Sequence, residues 1–179
     1  MLFLSKLNKI KAFVLDIDGV LTDATIHVTE SGEQLRRFNV RDGYAMQLAV
    51  KKGYLICVIS GGKSASVMSR FQGLGITDVH LGITQKLDVY NNFINQNDLR
   101  PENVLYMGDD IPDLPVMSVA GLKTCPADAV EEVKEISDYI SSKAGGYGCV
   151  RDVIEKVLKV QNDWYDQDSN AQDDSIPSA

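Results

Sequence analysis

Residues 11–23 read KAFVLDIDGVLTD, and this stretch decides the fold. The run from Ala12 to Leu15 is apolar, which is typical of a strand buried on both faces of a parallel sheet. Because side chains alternate along a strand, Asp16 and Asp18 are predicted to leave its carboxyl end on the same side. Two neighbouring carboxylates are costly to hold together without a cation or a proton between them. A lone pair of aspartates also fits a solvated turn, so the interpretation depends on the rest of the chain.

The composition limits the class of protein. The 179 residues fit one domain, and a content of 44% hydrophobic and 24% charged residues is ordinary for a soluble globular protein. The formal net charge of −7 argues against nucleic acid or an anionic membrane as the main partner. An anionic small substrate is still compatible with this charge, because a bound divalent cation reverses the field locally.

The cysteines and histidines do not indicate a zinc site. The three cysteines lack CxxC spacing, and the two histidines are far apart in the sequence. Cys57 lies in an apolar run and is predicted to pack in the core. The chain shows neither a signal-peptide core nor a run as long as a membrane span. We therefore expect a reduced, cytoplasmic compartment and no membrane partner.

Strand patterns and helix patterns alternate along the chain, which predicts an α/β fold with a central parallel sheet covered on both faces. The predicted strands are residues 12–15, 54–59, 78–81, 103–107, 122–125 and 139–140. The predicted helices are residues 42–52, 63–74, 85–96, 114–120, 130–136 and a last one from about residue 147. Residues 24–40 are predicted to form a β-hairpin, which needs a surface to pack on, and a neighbouring subunit is a candidate.

The domain organisation follows from where the apolar pattern stops. Residues 1–160 are predicted to form a single domain that includes the hairpin. Residues 161–179 are polar and acidic, and we predict a disordered tail there.

Other strand ends and helix starts carry groups suited to a phosphate. Ser60 and the backbone amide of Gly61 follow a strand and offer donors to an anion. Lys86 begins a helix and can place a charge on a phosphoryl oxygen, and Asp109 and Asp113 offer oxygen ligands suited to Mg²⁺. Each feature alone fits a turn or a solvated residue. Together with the first two aspartates, in this order, they indicate a phosphoryl site.

The order of these motifs resembles the haloacid-dehalogenase-like phosphotransferases over residues 10–158. Residues 16–20 (DIDGV) are similar to the first motif of that superfamily, Ser60 to the second, Lys86 to the third and residues 108–113 (GDDIPD) to the fourth. The resemblance implies the Rossmann-like, three-layer fold of this superfamily.

Three further segments resemble a narrower family, the 3-deoxy-D-manno-octulosonate 8-phosphate phosphatases. These segments are residues 18–23 (DGVLTD), 39–43 (NVRDG) and 145–151 (GGYGCVR). The resemblance implies a homotetramer without a cap domain, in which a hairpin like residues 24–40 lies at the subunit contact and a neighbouring subunit completes the site. The short intervals between the motifs agree, because they leave no room for a cap domain.

The resemblance also implies roles for the catalytic residues. Asp16 would attack phosphorus and form an aspartyl phosphate, and Asp18 would act as general acid and base. Mg²⁺ would be held by the side chains of Asp16 and Asp109 and by the backbone carbonyl of Asp18. Ser60 and Lys86 would bind phosphoryl oxygens.

Supporting and substrate-binding roles are implied in the same way. Asp110 and Asp113 would orient the metal ligands. An arginine can pair with a sugar carboxylate through two hydrogen bonds. The residues that the resemblance assigns to the substrate are Asp18, Asn39, Val40, Arg41, Asp42, Gly43, Gly61, Arg70, Lys86 and Arg151.

The activity implied is hydrolysis of 3-deoxy-D-manno-octulosonate 8-phosphate to the free sugar acid and phosphate, a step of lipopolysaccharide biosynthesis. Two departures leave the sugar open: Gly62 stands where the family typically has arginine, and Gln47 stands at another basic position. A nine-carbon keto-deoxy sugar acid 9-phosphate or another small phosphate ester is an alternative substrate.

Two alternatives belong to other classes. A non-catalytic, oligomerising relative would need neither Mg²⁺ nor Asp16, whereas an enzyme needs both. A two-component receiver domain is disfavoured because it would place its phosphoacceptor aspartate after a middle strand, and the strand at residues 54–59 ends in Ser60.

Overall fold

The apolar run at residues 12–15 forms the strand around which the sheet is built, and all four of its side chains are buried. A computed structural model describes residues 2–164. Its strands are β1 (Ala12–Leu15), β2 (His27–Val28), β3 (Gln34–Leu35), β4 (Leu55–Ser60), β5 (Asp78–Leu81), β6 (Val104–Met107), β7 (Leu122–Cys125) and β8 (Tyr139–Ile140). Its α-helices are α1 (Leu2–Leu7), α2 (Val40–Lys51), α3 (Ala65–Gly73), α4 (Lys86–Gln96), α5 (Leu114–Met117), α6 (Glu131–Ile136) and α7 (Cys149–Val160).

Six strands form one parallel sheet in the order β5-β4-β1-β6-β7-β8. Strand β1 therefore lies between β4 and β6, and the carboxyl ends of these three strands share one edge of the sheet. Asp16, Ser60 and Asp109 lie at or just after these ends, so the strand order alone brings these three residues to one edge.

Alternation along β1 divides the core into two layers. Phe13 and Leu15 belong to the cluster that packs under α1, α2, α3 and α7, whereas Ala12 and Val14 belong to the cluster under α4, α5 and α6. The sheet is thus covered by helices on both faces. The prediction of an α/β fold with three layers is confirmed.

The hairpin between β1 and α2 is shorter than its sequence pattern suggests. Its two strands have two residues each and form a separate sheet. Residue 40 does not extend the returning strand but begins α2, because the side chain of Asn39 accepts a hydrogen bond from the Arg41 amide and caps that helix.

Both ends of the described chain contribute to the body. Helix α1 was not predicted, because lysines interrupt its apolar residues. At the other end, Gln161 donates hydrogen bonds to the carbonyls of Leu7 and Ile10, and Trp164 packs on the core. Packing therefore extends four residues past the predicted boundary at residue 160, and the rest of the predicted tail lies outside the described residues. No helix within residues 2–164 has the length and apolarity to cross a membrane.

Candidate active site

The ends of β1 and β6 hold the first group of acidic residues in register. The Asp16 amide donates to the Met107 carbonyl at 3.1 Å, which continues the ladder between the two strands by one residue. Asp16 therefore leaves β1 beside the segment after β6 that carries Asp109 and Asp113. One ligand oxygen from each of these three carboxyls lies within 4.8 Å of the others. The structure thus brings Asp16, Asp109 and Asp113 together at this edge of the sheet.

Lys86 joins this cluster from the first turn of α4. Its ammonium lies 3.0 Å from Asp16 Oδ1 and 2.7 Å from Asp113 Oδ1, and its side chain is only 8% exposed. A cation this well buried is costly unless it is paired, and here two carboxylates share it. Burial alone would lower the pKa of Lys86, but Asp16 and Asp113 outweigh that effect and the pKa is raised. Lys86 is therefore held in its charged form beside Asp16.

Asp113 is fully buried, and both of its oxygens are engaged. Oδ1 accepts hydrogen bonds from Lys86 and from the Tyr106 hydroxyl at 2.6 Å. Oδ2 accepts from the backbone amides of Asp109 and Asp110 at 3.0 and 3.4 Å. Asp113 thus fixes the loop after β6 and aims Lys86, so it orients the site. Tyr106 was missed because its place in the strand pattern is that of a core aromatic residue.

Asp109 differs from Asp113, because its Oδ1 is buried without a hydrogen-bond partner among the described residues. Its other oxygen lies over Gly19, where a β-carbon would come within 1.9 Å of Asp109 Oδ2. Gly19 also has a φ of +93°, which favours glycine. The glycine after Asp18 thus lets this loop pass closely under the Asp109 carboxyl.

The acidic residues of this cluster are electrostatically frustrated. Burial, followed by repulsion from Asp113, raises the pKa of Asp16 to about 7, although Lys86 opposes the shift. Burial, followed by repulsion from Asp16 and Asp113, raises the pKa of Asp109 to about 8. A bound cation would lower these pKa values and favour the ionised form of both carboxyls.

The Ser60 loop lies on the other side of β1. Ser60 is the last residue of β4 and is 2% exposed, and its hydroxyl accepts a hydrogen bond from the Gly62 amide at 3.1 Å. The exposed Gly61 lies between them. The loop is anchored to the chain after β5 by the Ile83 amide, which donates to the Ser60 carbonyl. A hydroxyl and free loop amides at a strand end suit an anion.

Asp18 points to a different partner from Asp16. Arg36, which follows β3, donates from Nε to Asp18 Oδ1 at 2.7 Å and from Nη2 to Oδ2 at 3.2 Å. Sequence reasoning missed Arg36, because nothing in the hairpin pattern shows that this cation turns inward. Asp110, assigned a supporting role, is exposed and caps the 3₁₀ turn Ile111–Asp113 through its side chain.

The three segments of the narrower resemblance pack on one another. Asn39 donates to the Gly146 carbonyl at 3.1 Å, and Asp42 accepts from the Arg151 amide in the first turn of α7 at 2.7 Å. Gly145 lies so close to Gly19 that a β-carbon would come within 1.9 Å of the Gly19 carbonyl oxygen. In the described chain these segments therefore brace the loop that carries Asp18. Burial raises the pKa of Asp42, partly offset by this helix start.

The other residues assigned to the substrate lie on the surface around this brace. Val40 is 71% exposed. Arg70 stacks over the Phe38 ring and closely approaches Gly43. Arg41 and Arg151 line a surface cavity with Lys143, Tyr147, Gly148, Asp152, Glu155, Lys156 and Lys159. The residues that line this cavity include neither Asp16 nor Lys86.

The fold and the clustered aspartates and lysine define a class of hydrolase. The family model for haloacid dehalogenase-like hydrolases matches residues 72–154 of this chain. A structure from Legionella pneumophila described as a putative hydrolase of the same superfamily is 34% identical, with a TM-score of 0.88 over 90% of this chain and 88% of that one.

Sequence relatives narrow the class. The chain is 39% identical over 158 residues to the 3-deoxy-D-manno-octulosonate 8-phosphate phosphatase KdsC of Escherichia coli, which covers 88% of this chain and 84% of the relative. It is 34% identical to the Moraxella catarrhalis phosphatase of that name, whose structure holds magnesium, phosphate and KDO, with a TM-score of 0.87 over 90% and 92% of the two chains. The chain therefore belongs to the 3-deoxy-D-manno-octulosonate 8-phosphate phosphatase family, and it is a phosphoric monoester hydrolase.

Proposed function

We propose that this protein hydrolyses 3-deoxy-D-manno-octulosonate 8-phosphate to the free sugar acid and phosphate, with Asp16 as nucleophile and Mg²⁺ as cofactor. The observation that carries the proposal is the buried Asp16 carboxyl at the end of β1, with the Lys86 ammonium 3.0 Å away and the unpartnered oxygen of Asp109 beside it. The named relatives support the choice of sugar.

The residues present fit Mg²⁺. The donors are all oxygens, from two carboxylates and one backbone carbonyl, and this ion prefers oxygen ligands. Asp109 offers a buried oxygen that has no hydrogen-bond partner within residues 2–164, and the raised pKa values of Asp16 and Asp109 are those of carboxyls that lack a cation. Asp113 is the poorer ligand because its oxygens already accept four hydrogen bonds. We infer that Asp16, Asp109 and the Asp18 carbonyl would hold the ion, which would neutralise phosphoryl charge.

The chain's own residues would divide the reaction between them. Lys86 keeps one oxygen of Asp16 oriented, and the other attacks phosphorus to form an aspartyl phosphate. The Ser60 hydroxyl and the amide of Gly61 bind the transferring phosphoryl oxygens together with Lys86. Asp18 protonates the departing sugar oxygen and then takes a proton from the water that releases phosphate. Asp113 takes no part in the transfer and fixes the positions of Lys86 and of the loop after β6 through its hydrogen bonds.

The sugar would be bound outside this cluster. The brace of residues 39–43 and 145–151 and the arginines Arg41, Arg70 and Arg151 lie toward the surface, where cations suit a sugar carboxylate. The exposed apolar hairpin suits a subunit contact, and we propose a homotetramer in which a neighbouring subunit completes the substrate pocket.

The test is phosphate release with Mg²⁺ from 3-deoxy-D-manno-octulosonate 8-phosphate, with Asp16→Asn as the control. We expect rapid release by the unchanged protein and a loss of about 10⁴-fold or more in the variant, because no other group replaces the nucleophile. Equal rates for the two proteins would contradict the mechanism. An acyl phosphate trapped on Asp16, seen by mass spectrometry after rapid quench, would establish the intermediate directly.

A second substrate is supported by one specific observation. Gly62 lacks the arginine typical of the family, and Arg36 of the hairpin lies beside Asp18 at this place, so the cations that face the substrate are arranged differently from the family pattern. The nine-carbon keto-deoxy sugar acid 9-phosphate should therefore be assayed side by side. A higher kcat/KM for the nine-carbon ester would reassign the substrate and leave the mechanism unchanged.

A further inference from the structure

Arg36 is a buried cation on an otherwise exposed hairpin. Its side chain is 4% exposed, whereas the side chain of the adjacent Arg37 is 69% exposed. The Arg36 guanidinium engages both oxygens of Asp18, at 2.7 and 3.2 Å. A two-pronged pair of this kind fixes the plane of a carboxylate as well as its position. Asp18 is thus oriented by a residue from the hairpin and not by the sheet.

Gly62 leaves room for this pair. Its φ lies outside the left-handed region, so the backbone does not require glycine there. The available space, however, does favour glycine, because a β-carbon at position 62 would lie 2.9 Å from Arg36 Nη2 and 3.2 Å from Asp18 Oδ2. The closest of these atoms is the tip of a flexible side chain, so a methyl group at position 62 would displace the Arg36 guanidinium and leave the fold intact.

We propose that Arg36 is a positioning residue that aims Asp18 at the leaving oxygen, and that Gly62 is the partner position that permits this geometry. The inference rests on the proposed function, in which Asp18 is the proton donor. A carboxyl group has about four lone-pair sites and the arginine fork occupies two, so Asp18 retains sites for its proton while it is held. Misplacement of a catalytic group by about 1 Å can cost about 100-fold in rate.

A purely structural role for the pair predicts a different outcome. If Arg36 only tied the hairpin to the body, its loss would weaken sugar binding and raise KM for the sugar ester, but it would leave the ratio of kcat for the two esters unchanged. If Arg36 aims the proton donor, its loss should lower the rate most for a leaving group that must be protonated. A sugar alkoxide must be protonated as it leaves, whereas p-nitrophenolate leaves readily without a proton.

The first experiment compares Arg36→Gln and Arg36→Lys on the sugar-acid phosphate and on p-nitrophenyl phosphate, both with Mg²⁺. For Arg36→Gln we expect kcat on the sugar ester to fall by about 10- to 100-fold with little change in KM. In the first turnover, measured as release of the leaving group before water releases phosphate, the loss on the aryl ester should be about threefold or less, and Arg36→Lys should recover part of the rate lost on the sugar ester. Equal losses on the two substrates would overturn the proposal. Arg37→Gln, which removes the same charge from the next residue, is the matched control.

The second experiment tests the role of Gly62 with a double-mutant cycle. Gly62→Ala should lower kcat on the sugar ester about as much as Arg36→Gln does, and it should add nothing in the Arg36→Gln background. Additive losses would show that the two positions act independently. Gly73→Ala is the control, because a β-carbon there would meet no atom within 4 Å.

The inference and the proposed function fail in different ways. The proposed function fails if the unchanged protein and Asp16→Asn release phosphate from the sugar ester at the same rate. The inference fails if Asp16→Asn is inactive but Arg36→Gln, folded as judged by circular dichroism, slows both substrates equally.

Discussion

The acidic cluster at the sheet edge and the hairpin after β1 are built in opposite ways. Asp16, Lys86 and Asp113 are all buried and are held by strand ends, a helix start and shared hydrogen bonds. The hairpin strands have two residues each and expose Val28 and Leu35 by 63% and 50%. A two-stranded hairpin of this size is marginal without a surface to cover it.

This difference in burial suggests that phosphoryl transfer and substrate selection depend on different parts of the molecule. One chain contains everything that holds the nucleophile, so the phosphoryl chemistry should be insensitive to the state of the hairpin. Proton donation and sugar binding depend on residues near the hairpin, such as Arg36, and should respond to whatever packs on it. The predictions below test this separation.

The largest effect is expected inside the cluster. Lys86→Met removes the cation shared by Asp16 and Asp113, so kcat should fall by about 10²- to 10³-fold on sugar and aryl phosphates alike. Steady-state kinetics with both esters measures this. Lys9→Met, which breaks an exposed pair with Glu102, is the matched control and should leave the rate unchanged. A loss confined to the sugar ester would place Lys86 with the hairpin and not with the nucleophile.

Much of this cluster could be predicted from the sequence, for a physical reason. Strands β1, β4 and β6 are continuous apolar runs, and parallel strands place their carboxyl ends at one edge. Polar residues that directly follow such runs must therefore meet. Asp16, Ser60 and Asp109 were found in this way, whereas Lys86 was found as a cation at the start of a helix.

The rest depends on contacts that no local pattern encodes. Arg36 lies between Leu35 and Arg37 in an exposed hairpin, and only the approach of Asp18 makes it a buried residue. Tyr106 looks like any core aromatic residue until Asp113 reaches its hydroxyl. Asn39 could have been recognised, because asparagine directly before a helix is a common cap. A substrate role and a capping role use the same side-chain oxygen, so the sequence alone does not separate them.

The hairpin should control assembly and sugar turnover together. Val28→Glu with Leu35→Glu replaces one exposed apolar side chain on each face of the hairpin by a charge, and we expect dissociation to monomers by light scattering. The kcat/KM for the sugar ester should fall by about tenfold or more, while p-nitrophenyl phosphate turnover stays within about threefold, because the nucleophile lies within one chain. Full sugar-ester activity in a monomeric variant would end the idea that a neighbour completes the pocket.

The acidic cluster should also make stability depend on pH and metal together. The pKa values of Asp16 and Asp109 are raised to about 7 and about 8, so the folded protein binds more protons than the unfolded chain between about pH 4 and pH 8. Without metal, stability should therefore fall as the pH rises through this window. Mg²⁺ competes with those protons, so its stabilising effect should grow with pH.

Thermal unfolding with and without Mg²⁺ measures this effect. At saturating Mg²⁺ we expect Tm to rise by about 5–10 °C near pH 8.5 and by less than about half of that near pH 5.5. Asp109→Asn should abolish most of the shift. A Mg²⁺ shift that is the same at both pH values would mean that the ion binds elsewhere.

The smallest effect is expected for substitutions at Asp42, in the brace. These substitutions test whether the brace supports the fold or contacts the substrate. Asp42→Ala removes the oxygen that accepts the Arg151 amide at the start of α7, so the free energy of unfolding should fall by about 1–2 kcal/mol. Asp42→Asn keeps an acceptor at that place and removes a buried charge, so it should lose less. Urea unfolding measures both variants. An unchanged free energy of unfolding with a raised KM for the sugar ester would instead make Asp42 a substrate contact. The brace would then take part in substrate binding, as the hairpin does. Only the buried acidic cluster would be complete within one chain.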